Sequence, residues 1–386
     1  MPRFSERFTS LPPYALADVP KIKAELIKQG VDVIDLGAGD ADQMPPPQVI
    51  EAIQKAVTEE RFSRYPFQRG LPEFRVKISE WMKLRFGVEY DPFEELLPLI
   101  GTKEGVAHLP LCYLDPGDGA IVPDPGYYPY FGGTHMLGAD VIEVPLRRET
   151  DFLLDWSQVP KKKLARAKLL YLNYPNNPTG AVATEEYLQD ALEFCRQHDL
   201  LLIHDNAYSE LGYDGYRPPS ILQIEGAREI AVEFQSLSKT YNMTGWRIGW
   251  VAGPREVIAA LTKVKVYYDT GVFLACQAAG VAALDSWSEF APKQVAIFQE
   301  RRDAAVDAFR EAGFEVEKPR ATLYLWIPIP SGEPSIDFAR RILKEAGVVL
   351  FPGVGMGKGG EGYFRLALTV PAERLREAAQ RVAKVL

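Results

Sequence analysis

Only three cysteines occur in 386 residues, at positions 112, 195 and 276, and only four histidines, at 108, 135, 198 and 204. An odd number of widely separated cysteines excludes a disulfide framework and fits buried thiols in a reducing compartment. No pair among these cysteines and histidines has the spacing of a zinc site, so no metal is expected. Long apolar runs are missing too: no window reaches the roughly 18 residues of a membrane span. The opening "MPRFSERFTSLPPY" carries charges where a signal peptide needs an apolar stretch. Nor is there a basic excess. Formal net charge is −8, which argues against a nucleic-acid partner, whose phosphates need neutralising. The single basic cluster, "KKK" at 161–163, reads as a solvated loop. The expectation is a cytoplasmic protein with neither membrane nor nucleic acid as partner.

What is present is ordinary in bulk and specific in detail. A hydrophobic share of 47% and a charged share of 25% suit a soluble chain long enough for two or three domains. Between about 95 and 253, short β-rich runs alternate with helical patterns; the runs are "LLPLIG", "GAIVPD", "VIEVPL", "AKLLYLNY", "LLLIHDN", "EIAVEFQSLS" and "IGWVAG". The stretch "TEEYLQDALEFCRQHD" has Thr184 as an N-cap, acids in its first turn, and Tyr187, Leu188, Ala191, Leu192 and Cys195 on one face. Strands alternating with helices predict an α/β domain with a mainly parallel sheet. Past residue 285 the texture shifts to long helices and a few strands, predicting a smaller α+β domain. The division expected is 45–285 for the large domain, with 1–44 and 286–386 forming the small one.

Several short strings carry chemistry. In "LLLIHDNAYSE", Asp205 ends an apolar run and Tyr208 follows three residues later. A carboxylate at the C-terminal edge of a parallel strand sits where α/β sheets bind ligands, although a helix cap would use the same residue. "NNPTG" puts Asn177 in a turn after a strand, and "GTK" sets Thr102 and Lys103 at a strand–helix junction whose free N–H groups could hold a phosphate. Gly355, Gly357 and Gly360 satisfy G-x-G-x-x-G, but no helix follows, so a tightly turned or mobile loop is expected there, not a dinucleotide fingerprint. Most informative is "SLSKTYNMTGWRIGW", 236–250. Lys239 follows a strand and is flanked by Ser236, Ser238 and Arg247. An amine for Schiff-base chemistry has to sit near a carbonyl cofactor, and a serine and an arginine can anchor an anionic group on it. Pyridoxal 5'-phosphate, with an aldehyde, a phosphate and a pyridine ring, answers to that description.

These strings, with "PDPGYYPY", "TGVFLACQAA" and "GEGYFRLAL", resemble the fold-type I class I/II aminotransferases over nearly the whole chain, most closely the LL-diaminopimelate aminotransferase branch. The resemblance implies a pyridoxal-phosphate-binding large domain and a homodimer with shared active sites. It implies that Lys239 forms the Schiff base and shuttles a proton, that Asp205 pairs with the pyridine N–H, and that Tyr208 and Asn177 hydrogen-bond the ring oxygen. Tyr127 would stack on the ring. Thr102, Lys103, Ser236, Ser238 and Arg247 would line the phosphate cup, which Tyr65 would reach from the neighbouring subunit. Arg365 would clamp the substrate carboxylate, with Gly39 leaving room and Tyr14 and Asn177 in contact.

Transamination between an amino acid and 2-oxoglutarate, as in lysine biosynthesis, is the leading expectation. A broader aspartate, alanine or aromatic aminotransferase, a C–S β-lyase and a cofactor-sensing regulator are the alternatives. Two departures bear on specificity: "GDADQMPPP" lacks the proline of the usual Gly-Asp-Pro-Asp, and Arg69 precedes Gly70 where a neutral or acidic residue is usual.

Overall fold

A computed structural model describes residues 1–12, 15 and 17–386. Its strands, in chain order, are β1 (Ile34–Asp35), β2 (Leu96–Leu99), β3 (Gly119–Asp124), β4 (Asp140–Pro145), β5 (Ala167–Leu172), β6 (Leu201–Asp205), β7 (Ala231–Ser236), β8 (Gly249–Ala252), β9 (Tyr324–Pro328), β10 (Val348–Val349), β11 (Phe351–Pro352) and β12 (Tyr363–Ala367). Seven of them form one sheet in the order β2-β8-β7-β6-β5-β3-β4. All neighbours from β7 through β4 run parallel, and only β8 runs against the rest. The apolar runs at 96–99, 119–124, 201–205, 231–236 and 249–252 are buried at every position, as strands covered on both faces must be.

Side-chain alternation divides the sheet's surroundings into two cores. Leu170, Leu172 and Leu202 join Trp250 on one face; Leu169, Tyr171, Ile203, Val232 and Phe234 pack on the other. The helix Glu185–Gln197 covers the first face. Thr184 caps it by accepting from the Tyr187 N–H, and Leu188, Ala191, Leu192 and Cys195 are its buried residues. Cys195 is buried as expected of a small apolar residue, whereas Cys112 and Cys276 are only half-buried; all three are free thiols.

A third core lies against a three-stranded sheet, β11-β12-β9. It gathers Phe298 and Phe309 from the helix Trp287–Glu311, Phe338 from Ser335–Ala346, and Leu375 from Ala372–Ala383. Ile34 and Leu36 of the N-terminal segment share this core, and β1 pairs in parallel with β10. The glycine-rich stretch forms two 3-10 turns, Gly353–Met356 and Lys358–Gly360, ahead of β12, a tight turn with no dinucleotide geometry. Buried polar contacts tie the first core to the helix Trp287–Glu311: Glu210 accepts from Arg85 Nε at 2.8 Å and from Trp287 Nε1 at 2.6 Å. Among the described residues, no helix is long and apolar enough to cross a membrane.

Candidate active site

Strand direction brings the chemistry together. β3, β5, β6 and β7 all end at one edge of the sheet, β2 runs the same way, and the antiparallel β8 begins there. A cavity of about 380 Å³ opens at this edge, lined by Gly39, Thr102, Lys103, Tyr127, Asn177, Asp205, Tyr208, Ser236, Ser238, Lys239, Arg247, Tyr324 and Arg365 among others. Twelve of the residues singled out in the sequence share this wall with Tyr324, which sequence reasoning passed over.

Asp205 is the last residue of β6 and is 4% exposed. Burial pushes its carboxyl up to about 6, against the hydrogen bond that Tyr130 donates to Oδ2 at 2.8 Å. Oδ1 is buried and has no partner among the described residues. Asn173, just past β5, donates to the Asp205 carbonyl at 2.6 Å and accepts the Asn177 N–H at 2.8 Å. Asp205 is therefore no helix cap; its free oxygen is a buried acceptor awaiting a donor. Tyr130 and Asn173 were missed in the sequence. The three tyrosines of "GYYPY" gave a cue without a register. Here Tyr127 is half-buried at the cavity, Tyr128 is exposed, and Tyr130 reaches the carboxylate.

Beyond β7 the chain makes a single helical turn, Leu237–Thr240, capped by Ser236 accepting the Ser238 N–H at 3.1 Å. One turn separates Ser236 from Lys239, so both side chains meet the same space. Lys239 Nζ donates to the Gly39 carbonyl at 2.6 Å. Arg247 takes a left-handed backbone conformation, φ 54°, and its Nη1 donates to the Thr244 carbonyl at 2.6 Å. Gly101 has φ 68°, and a Cβ there would overlap the Arg247 guanidinium. Glycine at 101 thus lets the arginine lie over the junction where Thr102 and Lys103 begin a helix. The Lys103 ammonium itself donates to the Tyr128 hydroxyl at 2.8 Å.

Arg365, on β12, is 6% exposed. Its Nη1 donates to Asn177 Oδ1 and its Nη2 to the Gly37 carbonyl, both at 2.8 Å, while Nε is buried without a partner among the described residues. The guanidinium lies 4.2 Å from the Tyr324 ring centre and 4.7 Å from that of Phe351. Among the described residues, neither Arg247 nor Arg365 has a carboxylate partner. The space left by Gly39 is filled by Tyr324, whose hydroxyl would overlap a Cβ at that position. Burial pushes the Tyr127 and Tyr208 phenols above their usual range.

Other residues singled out in the sequence lie elsewhere or outside the described residues. Tyr14 falls outside the described residues. Tyr65 is 69% exposed and does not line the cavity. Arg69 donates to the Phe93 carbonyl, away from the cavity. The altered 39–42 segment has local reasons for its sequence: Ala41 N–H donates to Thr244 Oγ1 at 3.3 Å, which a proline could not do. Asp42 receives both terminal nitrogens of Arg301, at 2.8 and 2.7 Å. Glu104, His108 and Asp269 cluster closely enough for a metal, yet the Lys265 ammonium already lies among them, 2.7 Å from Glu104 and 3.0 Å from Asp269.

One cavity therefore presents a buried carboxylate oxygen lacking a donor, two guanidinium groups lacking carboxylates, and a primary amine. That set complements a pyridine N–H, a phosphate, a substrate carboxylate and an aldehyde, so the residues present fit pyridoxal 5'-phosphate. Comparison with known proteins agrees. The family described as aminotransferase class I and II matches residues 31–382. LL-diaminopimelate aminotransferases from Desulforudis audaxviator and Moorella thermoacetica are each 47% identical, over 98% and 99% of this chain and 96% and 98% of theirs. The substrate-bound structure of BacF from Bacillus subtilis superposes with a TM-score of 0.95 at 34% identity, covering 100% of this chain and 98% of that one. The chain belongs to the aminotransferase class I and II family and is a pyridoxal 5'-phosphate-dependent transaminase.

Proposed function

We propose that this transaminase moves the amino group of LL-diaminopimelate to 2-oxoglutarate. The observation that carries the reading is Arg365: a buried guanidinium with an unpartnered Nε and no carboxylate among the described residues. An amino acid and a 2-oxo acid share the carboxylate that such a group would hold, so one arginine serves both half-reactions. The choice of diaminopimelate rests on the relatives named for that substrate at 47% identity over nearly the full chain.

When bound, pyridoxal 5'-phosphate supplies an aldehyde that condenses with amines and a ring that accepts the electron pair released as an α C–H bond breaks. Lys239 Nζ is the base that takes the α proton and returns it. Asp205 Oδ1 would accept from the pyridine N–H. Arg247, Ser236, Ser238 and the N–H groups of Thr102 and Lys103 would hold the phosphate, and Tyr127 would stack on the ring. Asn177 Oδ1 is engaged by Arg365, which leaves its amide N–H₂ to donate, with Tyr208, to the ring oxygen.

Tyr65 serves the partner's site in a cytoplasmic homodimer. The exposure of Tyr65 and Phe67, with ring centres 6.2 Å apart, and of Phe273 supports the homodimer, because exposed aromatic patches mark association surfaces. The loop carrying the first two is braced by the segment before Phe273: Gln68 N–H donates to the Thr270 carbonyl at 3.2 Å.

The test is to follow the absorption spectrum of the holoenzyme while LL-diaminopimelate, aspartate, alanine and tyrosine are added singly. Conversion by diaminopimelate to the amine form of the cofactor, reversed by 2-oxoglutarate, is the expected result. A response to another donor alone would overturn the substrate assignment and leave transamination in place.

A further inference from the structure

Tyr324 opens β9 deep in the cavity wall, 3% exposed. Three neighbours define it. The Tyr208 hydroxyl donates to the Tyr324 hydroxyl at 3.3 Å; the Arg365 guanidinium lies over its ring at 4.2 Å; and its oxygen occupies the space that a side chain at residue 39 would take. Gly39 in turn receives Lys239. A single phenol thus touches the residues proposed to meet the cofactor oxygen and the substrate carboxylate, and lies beside the segment on which the reactive amine rests.

Two phenols that share a contact have one proton each to direct. With Tyr208 donating to Tyr324, Tyr208 has nothing left to give the cavity. With Tyr324 donating instead, the Tyr208 proton turns inward. We propose that Tyr324 is a positioning residue that decides which way the Tyr208 hydroxyl points its proton and at the same time props the Arg365 guanidinium for a carboxylate. The inference rests on the assignment of Tyr208 to the cofactor ring oxygen.

The charged and titratable groups facing the pair are Arg365 on β12, Lys239 after β7, Asp205 on β6 and Tyr127. Burial pushes the Tyr324 phenol up, but the Arg365 and Lys239 charges and the hydrogen bond from Tyr208 outweigh it and hold the group below its ordinary range. In that field the Tyr324 oxygen is the acceptor. A carboxylate seated on Arg365 cancels part of the field and favours the reverse arrangement, which frees the Tyr208 proton for the cavity as substrate arrives.

Tyr324→Phe keeps the ring under Arg365 and removes the hydroxyl; Tyr324→Leu removes both. Visible absorption of each holoenzyme is titrated against pH, with and without succinate as an unreactive carboxylate, and KM is measured beside kcat. The expected result for Tyr324→Phe is a midpoint displaced by about 0.5 unit or more, a smaller response to succinate than in the parent, and a KM within about twofold. Tyr324→Leu is expected to raise KM about fivefold or more, through loss of the stacked ring. A parental midpoint and succinate response in Tyr324→Phe would overturn the inference, as would equal KM changes in the two variants. Tyr208→Phe is the control: if it displaces the midpoint while Tyr324→Phe does not, only this inference fails. If Tyr208→Phe leaves the midpoint unmoved, the assignment of Tyr208 fails and this inference with it.

Discussion

Lys239 Nζ donates to the carbonyl oxygen of Gly39 at 2.6 Å, so the amine just past β7 is held against the N-terminal segment in the cavity wall. The amine shares its cavity with Arg247 and Arg365. Lys239→Ala removes the amine proposed both to condense with the cofactor and to carry the α proton. Turnover is expected to fall by roughly 10²–10⁴-fold or more, while the anionic and aromatic contacts still retain the cofactor without a covalent link. Borohydride reduction should fix the cofactor to the parent protein and not to the variant. Full activity in Lys239→Ala would remove the basis of the site assignment.

Arg365 makes two hydrogen bonds to protein, through Nη1 and Nη2, and keeps Nε free. Replacing it by lysine preserves charge but not the fork that grips a carboxylate at two points. In Arg365→Lys, KM is expected to rise about tenfold or more for the amino acid and the 2-oxo acid alike, with a smaller change in kcat. Steady-state kinetics in both directions checks this. A KM raised for only one of the two substrates would show that Arg365 does not hold the group they share.

The Asp42–Arg301 pair fixes the segment that carries Gly39. Arg301 is 5% exposed and also donates to the Leu368 carbonyl at 3.0 Å, so asparagine at 42 leaves a buried guanidinium with one neutral acceptor in place of a two-point carboxylate. Asp42→Asn is expected to cost about 1–3 kcal/mol of stability, the range of a hydrogen bond to a charged group. It is also expected to raise KM by loosening the entrance. A urea unfolding midpoint and a KM both equal to the parent's would show that the segment is held without the pair.

How much of this was legible in the sequence depends on whether a residue acts locally or across the fold. The seven strands of the large sheet were readable because each is a short β-rich run with turn residues beside it, and five of them are buried at every position, as burial on both faces requires. Lys239, Ser236 and Arg247 lie within one string, and Asp205 with Tyr208 within another, so spacing alone brings them to one edge. Tyr324 and Tyr130 were not legible in the same way. Tyr324 sits in "ATLYLWIPI", where alternation reads as an ordinary strand, and only the fold brings its hydroxyl to Tyr208, 116 residues away in sequence. Arg69 illustrates the converse. Its charge suggested a role in specificity, but a carbonyl at Phe93 takes its guanidinium, a contact that no periodicity encodes.

Asp205 makes the stability of the cofactor-free protein depend on pH with a sign opposite to that of a salt-bridged carboxylate. Its folded-state value is raised to about 6 by burial, from an ordinary 3.8. Below about pH 4 it is protonated whether the chain is folded or not, and it contributes nothing. As pH rises from 4 to 6 the unfolded chain has released the proton and the folded chain still holds it, so stability falls. Above 6 the whole cost is present, roughly 3 kcal/mol for a shift of about two units. Asp124, raised to about 6 by burial as well, adds a dependence of the same sign, so the informative quantity is the difference between parent and variant. Asp205→Asn cannot ionise and can still accept from Tyr130. Its cofactor-free form is therefore expected to gain on the parent by about 2 kcal/mol between pH 4.5 and 7.5, read as urea midpoints. Bound cofactor should cancel that gain, because its ring N–H gives the parent's Oδ1 the donor it lacks. A difference that does not change with pH would mean that Asp205 holds one protonation state throughout, and the fit between its unpartnered oxygen and a pyridine N–H would then rest on geometry alone.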